Sequence, residues 1–105
     1  MLICYTTCKN LKIAKKIGKH ILEKKLCACI NIIPKIYSMY FLHETSSKIT
    51  TEGEVVLIIK TLKKKYLELE KEIKKNHTYE TPCIFGISIN YIEKKYLKWL
   101  NLNLK

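Results

Sequence analysis

The sequence predicts an α+β domain whose elements follow the order β-α-β-β-α-β, with one more helix at the C-terminal end. Two segments carry apolar residues at helical spacing with lysines between them. Four other segments are short and rich in β-branched and aromatic residues, which favour strands. With 105 residues, the chain can bury only one core, so residues 1–105 are predicted to form a single domain. This order is that of the split βαβ, or ferredoxin-like, sandwich.

The first strand and the first helix are predicted within the first 26 residues. Residues 1–7 are apolar, branched and few, which is typical of an opening strand. Asn10 has the side chain expected of a helix N-cap. Apolar side chains then recur at helical spacing, at Leu11, Ala14, Ile17, Ile21, Leu22 and Leu26. The lysines between them are interpreted as the solvated face of the helix.

The middle of the chain predicts a long hairpin. Residues 28–42 are β-branched and aromatic, as in a strand. Pro34 lies inside this segment and cannot donate a hydrogen bond to a neighbour, so it predicts a bulge, a bend or an edge. Residues 43–53 are polar and predict a turn, whereas residues 54–63 are almost continuously apolar and predict a buried strand.

The remaining segments predict a helix, a strand and a final helix. Apolar residues recur at helical spacing from Leu62 to a helix end near Asn76. Pro82 closes the following turn, and residues 83–91 predict the fourth strand. Residues 92–105 predict a short helix and a tail. Because right-handed crossovers place the first two helices on one side of the sheet, the other side is left bare and apolar, which predicts self-association.

The composition limits the classes of function. The net charge is +11, from twenty lysines and nine glutamates, with neither arginine nor aspartate. Lysine can neutralise phosphates, but arginine makes the commonest specific guanine contact, so its absence argues against nucleic acid as a partner. Apolar runs are far shorter than the roughly 20 residues of a membrane span, and no membrane partner is expected. With three glycines, no phosphate-binding glycine loop can form.

Five cysteines raise the question of redox state and metal binding. Their odd number and the lack of a signal-like beginning argue against a disulfide framework, and a cytoplasmic location is expected. The thiols are either small buried hydrophobic groups or include a metal ligand or redox site.

One polar cluster stands out among the apolar segments, at residues 77–80. His77, Tyr79 and Glu80 place an imidazole, a phenol and a carboxylate together, which suits a metal or a polar ligand. Alternatively, His77 only interacts with a helix C-terminus while Tyr79 packs beneath it. Lys60 and Thr61 end an apolar strand, where the lysine either reaches solvent or faces an anion. Trp99 has the spacing of a core or interface residue.

Five segments together resemble the CutA divalent-cation tolerance family over nearly the whole chain. They are residues 6–19, 22–40, 54–61, 77–82 and 96–100. The resemblance implies ferredoxin-like subunits that form a homotrimer by pairing strands between subunits. It also implies a role in tolerance of copper and other divalent ions, weak metal binding and no enzymatic activity.

The resemblance also implies roles for particular residues. The candidate metal ligands are Cys29, His77, Glu80 and Glu54, a thiolate and imidazole set that would suit copper or zinc. The residues expected near clefts between subunits are Lys60, Thr61, Tyr79, Cys8 and Trp99. Thr78, Leu42 and Cys83 depart from the residues usual in the family at these positions. Two alternatives stay open: a trimeric interaction or signalling scaffold without a physiological metal site, and an electrostatic nucleic-acid binder.

Overall fold

The computed structural model describes residues 1–42 and 47–104. In chain order its elements are β1 (Leu2–Cys8), α1 (Leu11–Glu23), β2 (Cys29–Phe41), β3 (Ile49–Thr61), a 3-10 turn (Lys63–Lys65), α2 (Tyr66–Asn76), β4 (Ile84–Ser88) and α3 (Lys94–Asn103). The strands form one antiparallel sheet in the order β2-β3-β1-β4. The predicted ferredoxin-like α+β fold with a C-terminal helix is therefore confirmed.

The core lies between one side of the sheet and the helices α1 and α2. Alternate residues of β1 and β3, such as Cys4 and Leu57, face this layer. The helices contribute Ile17, Ile21 and Leu69 among other fully buried side chains. Cys4, Cys8 and Cys27 belong to the same core, so three of the thiols behave as small buried hydrophobic groups.

Both ends of α1 are set by local signals. The Asn10 side chain accepts a hydrogen bond from the backbone N–H of Ile13 at 2.9 Å, which confirms the predicted cap. The helix ends three residues before the predicted Leu26, because Lys25 adopts a left-handed backbone with φ of 58°. The backbone N–H of Leu26 then bonds back to Ile21, and its side chain is buried in the core.

The β2–β3 hairpin is longer than the sequence pattern suggests. Strand β3 begins at Ile49, five residues before the predicted start, since Ile49 pairs with Phe41 across the hairpin. The predicted turn at 43–53 is thus too long at its C-terminal end, and residues 43–46 lie outside the described residues. The pairing register shifts between Ile33 and Ile36, which confirms the irregularity expected at Pro34.

The second side of the sheet is only partly bare. Lys60 lies on this side, and its Nζ is 5.8 Å from the ring centre of Tyr96 at the start of α3. Leu100 of α3 and Leu104 just after it are completely buried. The expectation of an entirely bare face is therefore wrong, because α3 folds back over part of it. Within the described ranges, no helix is both long and apolar enough to cross a membrane.

Candidate functional site

The segment after α2 fixes the imidazole of His77 through both of its nitrogens. At His77 the backbone turns from helical to extended, which brings the ring against the end of β1. Nε2 lies 2.7 Å from the carbonyl oxygen of Thr7, and Nδ1 lies 3.1 Å from the backbone nitrogen of Tyr79. A carbonyl only accepts and a backbone N–H only donates, so these partners assign the proton to Nε2 of a neutral ring. Neither nitrogen has a lone pair free for a metal in this arrangement.

Tyr79 links His77 to the buried carboxylate of Glu54. Its hydroxyl donates to Oε2 of Glu54 at 2.9 Å, and Glu54 is only 9% exposed. Burial, followed by the hydrogen bond to Glu54, raises the pKa of Tyr79 well above its ordinary value. The phenol therefore stays protonated as a donor, and Glu54 receives a hydrogen bond that a buried carboxylate needs.

Two thiols lie at the same end of the sheet. Cys8 is buried with its Sγ 4.0 Å from Nε2 of His77, and burial, aided by the Glu54 charge, raises the pKa of Cys8 to about 11. Cys83 is exposed, and desolvation together with the Glu54 charge also raises the pKa of its thiol. Both groups are therefore thiols at neutral pH, whereas thiolate is the form that binds metal. We call Cys8, Glu54, His77, Tyr79 and Cys83 the His77 cluster.

Cys29 begins β2 and lies far from the His77 cluster. It pairs with Lys60, six residues along β3 from Glu54, which corresponds to about 20 Å. The buried hydroxyl of Thr61 donates to the carbonyl of Leu26 at 2.7 Å, so Thr61 holds the turn after α1. The rings of Trp99 and Tyr96 stack with 5.6 Å between their centres, and Nζ of Lys60 lies 5.8 Å from the centre of the Tyr96 ring.

The four candidate metal ligands are thus divided within one chain. Glu54 and His77 belong to the His77 cluster, Cys29 lies far along the sheet, and Glu80 is exposed beside a groove with Lys74 and Pro82. The described part of the chain holds no group of three or more His, Cys, Asp or Glu residues placed to bind a metal ion. The residues of a single chain therefore do not fit a metal site built from all four.

Comparison with known proteins gives the family. The model of the CutA1 divalent ion tolerance protein family matches residues 2–103. The chain belongs to this family. The CutA of Archaeoglobus fulgidus, named a divalent-cation tolerance protein, is 40% identical over 97 residues, covering 92% of this chain and 91% of that protein. A chloroplastic CutA of Arabidopsis thaliana is 35% identical over 99 residues, covering 94% of this chain but 53% of that protein.

A solved CutA structure agrees with the fold. The structure of the Archaeoglobus fulgidus protein, described there as a periplasmic divalent cation tolerance protein, superposes with a TM-score of 0.92 at 37% identity, covering 100% of both chains. The five segments that carry the resemblance in the sequence are therefore parts of a CutA fold in this chain.

One cluster of this CutA1 family member was not predicted from its sequence. Glu72 of α2 is buried and accepts hydrogen bonds from Nζ of Lys24 at 2.7 Å and from Nε2 of His20 at 2.9 Å. The lysine, followed by the histidine, lowers the pKa of Glu72 to about 2. The available signal in the sequence was that Glu72 follows the core residue Leu69 by three positions, a spacing that puts both on the same side of the helix. The interaction joins α1 to α2 and has a structural role.

Proposed function

We propose that this CutA1 family member acts as a homotrimer in tolerance of divalent cations, and that it does so without catalysing a reaction. The observation that supports assembly is an apolar row on the protruding β2–β3 hairpin. Tyr37 is 76% exposed, Met39 71%, Phe41 63% and Ile49 60%. Their alternate spacing and the Phe41–Ile49 pairing put them on one face. An exposed row of this kind is typical of a protein interface.

Light scattering after size-exclusion chromatography tests the assembly. We expect a mass three times the 12.4 kDa of one chain. Replacing Phe41→Ser and Met39→Ser together should shift the particle toward smaller masses. Leu67→Ser is the matched control, because Leu67 is also exposed but lies on α2. A monomer for the parent protein, or an unchanged mass for the double variant, would contradict the assembly proposed here.

We further propose that copper or another divalent metal binds weakly between copies of the chain. The carrying observation is the separation of about 20 Å between Cys29 and Glu54 within one chain. Ligands this far apart can bind the same metal ion only if a neighbouring copy of the chain supplies one of them. The candidate set remains Cys29, His77, Glu80 and Glu54, with the thiolate and imidazole favouring copper or zinc. His77 must release one of its hydrogen bonds before it can coordinate, which accounts for weak affinity.

Calorimetric titration of the reduced protein with copper and with zinc tests this site. We expect saturable binding that is lost in Cys29→Ser and reduced in His77→Ala. His20→Ala is the control, since it removes an imidazole that contacts Glu72 instead. The mass of each variant is measured first, so that loss of metal is distinguished from loss of assembly. Unchanged binding in both Cys29→Ser and His77→Ala would refute the ligand assignment.

An alternative function is a trimeric interaction or signalling scaffold without a physiological metal site. The observation that favours it is that both nitrogens of His77 already have partners. Cells lacking the protein and exposed to copper distinguish the two functions. If Cys29→Ser with His77→Ala still restores growth as well as the parent, the scaffold is supported. If growth is lost while the trimer persists, the metal-binding function is supported.

We propose a cytoplasmic location, supported by the five cysteines, all of which are free in the structure. Relatives differ in this respect, since the Archaeoglobus protein is described as periplasmic and the Arabidopsis protein as chloroplastic. Fractionation of the source cells, with alkylation of thiols before lysis, tests the location. Recovery outside the cytoplasm, or with disulfides present, would contradict it.

A further inference from the structure

The outer side of α2 carries an exposed leucine among lysines. Leu67 is 80% exposed, although α2 buries Leu69 and Ile73 in the core. Two lysines of the preceding 3-10 turn come three and four residues before it, and two lysines of α2 lie one and two helical turns after it. These lysines are Lys63, Lys64, Lys71 and Lys74. We call Leu67 and these four residues the Leu67 patch.

The lysines of the patch are exposed, and nearby glutamates offset only part of their charge. Across residues 1–42 and 47–104, none of the four has a carboxylate within 4.0 Å. Glu68 lies one helical turn from Lys71. Glu70 and Glu80 line the same groove as Lys74, so the four lysines outnumber the three glutamates near them. Like charges one turn apart repel each other. The patch is therefore suited to a partner that supplies anionic charge.

The leucine indicates which anionic partner. A single exposed leucine is ordinary on a soluble protein, and alone it carries no argument. Among lysines that outnumber the nearby glutamates, however, it combines the two contacts made by proteins that lie on anionic bilayers. Lysines contact the headgroup phosphates, and an apolar side chain enters the boundary between headgroups and acyl chains. A nucleic acid would satisfy the lysines but would offer the leucine no comparable apolar layer.

We propose that the Leu67 patch binds the surface of bilayers that contain anionic phospholipids. Binding to a surface differs from crossing it, so the proposal agrees with the lack of a spanning helix in the described residues. It revises the expectation, drawn from apolar run lengths alone, that no membrane is a partner. Each lysine near an anionic surface should strengthen binding about fivefold. Insertion of the leucine should add roughly tenfold.

Sedimentation with lipid vesicles tests the proposal. The protein is mixed with vesicles of phosphatidylcholine alone or of phosphatidylcholine with phosphatidylglycerol, at low and at moderate salt. We expect binding only to the anionic vesicles, weakened by salt. Leu67→Asn should lower the affinity roughly tenfold without changing the charge. Lys63→Gln with Lys71→Gln should lower it about twenty-five-fold. The matched control, Lys94→Gln with Lys98→Gln, removes the same charge from α3 and should bind like the parent.

Three results would overturn the proposal. The first is failure of the parent protein to bind anionic vesicles at low salt. The second is an unchanged affinity in Leu67→Asn, because binding would then be electrostatic without insertion. The third is an equal loss in the α3 control, since binding would then follow total charge rather than the patch. Circular dichroism of every variant confirms that it is folded, and Leu67 and the lysines are exposed, so folding should be unaffected.

Discussion

Removal of the Tyr79 hydroxyl tests whether the His77 cluster is held together as described. In Tyr79→Phe the ring is kept, but Oε2 of Glu54 loses the donor that lies at 2.9 Å. A net contribution of about 1.5–3 kcal/mol is typical of a hydrogen bond to a charged group, and the near-complete burial of Glu54 favours the middle of this range. We therefore expect a loss of about 2 kcal/mol in the free energy of unfolding, or a fall in Tm of about 8–10 °C.

The assay is urea unfolding followed by circular dichroism, at one protein concentration and with the same assembly state confirmed for every variant. Tyr91→Phe is the matched control, because the Tyr91 side chain is 92% exposed, and it should stay within about 0.5 kcal/mol of the parent. A double-mutant cycle with Glu54→Ala, which removes the acceptor oxygen, should give a coupling of about 1–2 kcal/mol. Additive losses, or a Tyr79→Phe variant as stable as the control, would refute the reasoning.

Three further predictions concern the helices. Lys25→Gly should stabilise the protein by about 0.5–1 kcal/mol, because φ is 58° at this position, and a lower urea midpoint would contradict it. Asn10→Ala should destabilise by about 1 kcal/mol through loss of the cap to Ile13, and Asn10→Ser, which can still cap, should be nearly neutral in the same assay. Glu72 has a folded pKa of about 2, below its ordinary 4.5, so its charged form stabilises the fold above pH 4.5 and this contribution disappears as the pH falls toward 2. The Tm difference between the parent and Glu72→Gln should therefore shrink as the pH falls below 4.5, and a difference that stays the same down to pH 2 would be incompatible with this assignment.

Local signals in the sequence were sufficient wherever the structure depends on neighbouring residues. Asn10 caps α1 because its side chain needs only the N–H groups of the next turn. Pro34 disturbs β2 because it lacks a backbone donor. The order of elements follows from the same short periods, which is why the ferredoxin-like fold was predictable before any pairing was known.

The remaining features depend on contacts between distant parts of the chain. Ile49 extends β3 because Phe41 faces it across the hairpin, although polar residues surround Ile49 in the sequence. Lys25 ends α1 in a left-handed conformation that usually requires glycine. A lysine at this position therefore does not predict the end of a helix. Similarly, residues 77–80 showed that a polar group was present but could not show that Thr7, 70 residues away, occupies one nitrogen of His77.

The hydrogen bonds made by both ring nitrogens of His77 change how the candidate metal site can bind a metal ion. A preformed site would bind metal at any protein concentration, whereas here Cys29 and Glu54 are separated within one chain and His77 is already hydrogen-bonded. If ligands must come from two copies, metal binding and assembly stabilise each other by linkage. Metal affinity should then fall as the protein is diluted below its assembly range, and metal should in turn raise the stability of the assembled form. A dependence of this kind would separate binding between copies from incidental binding to surface side chains, which is independent of assembly.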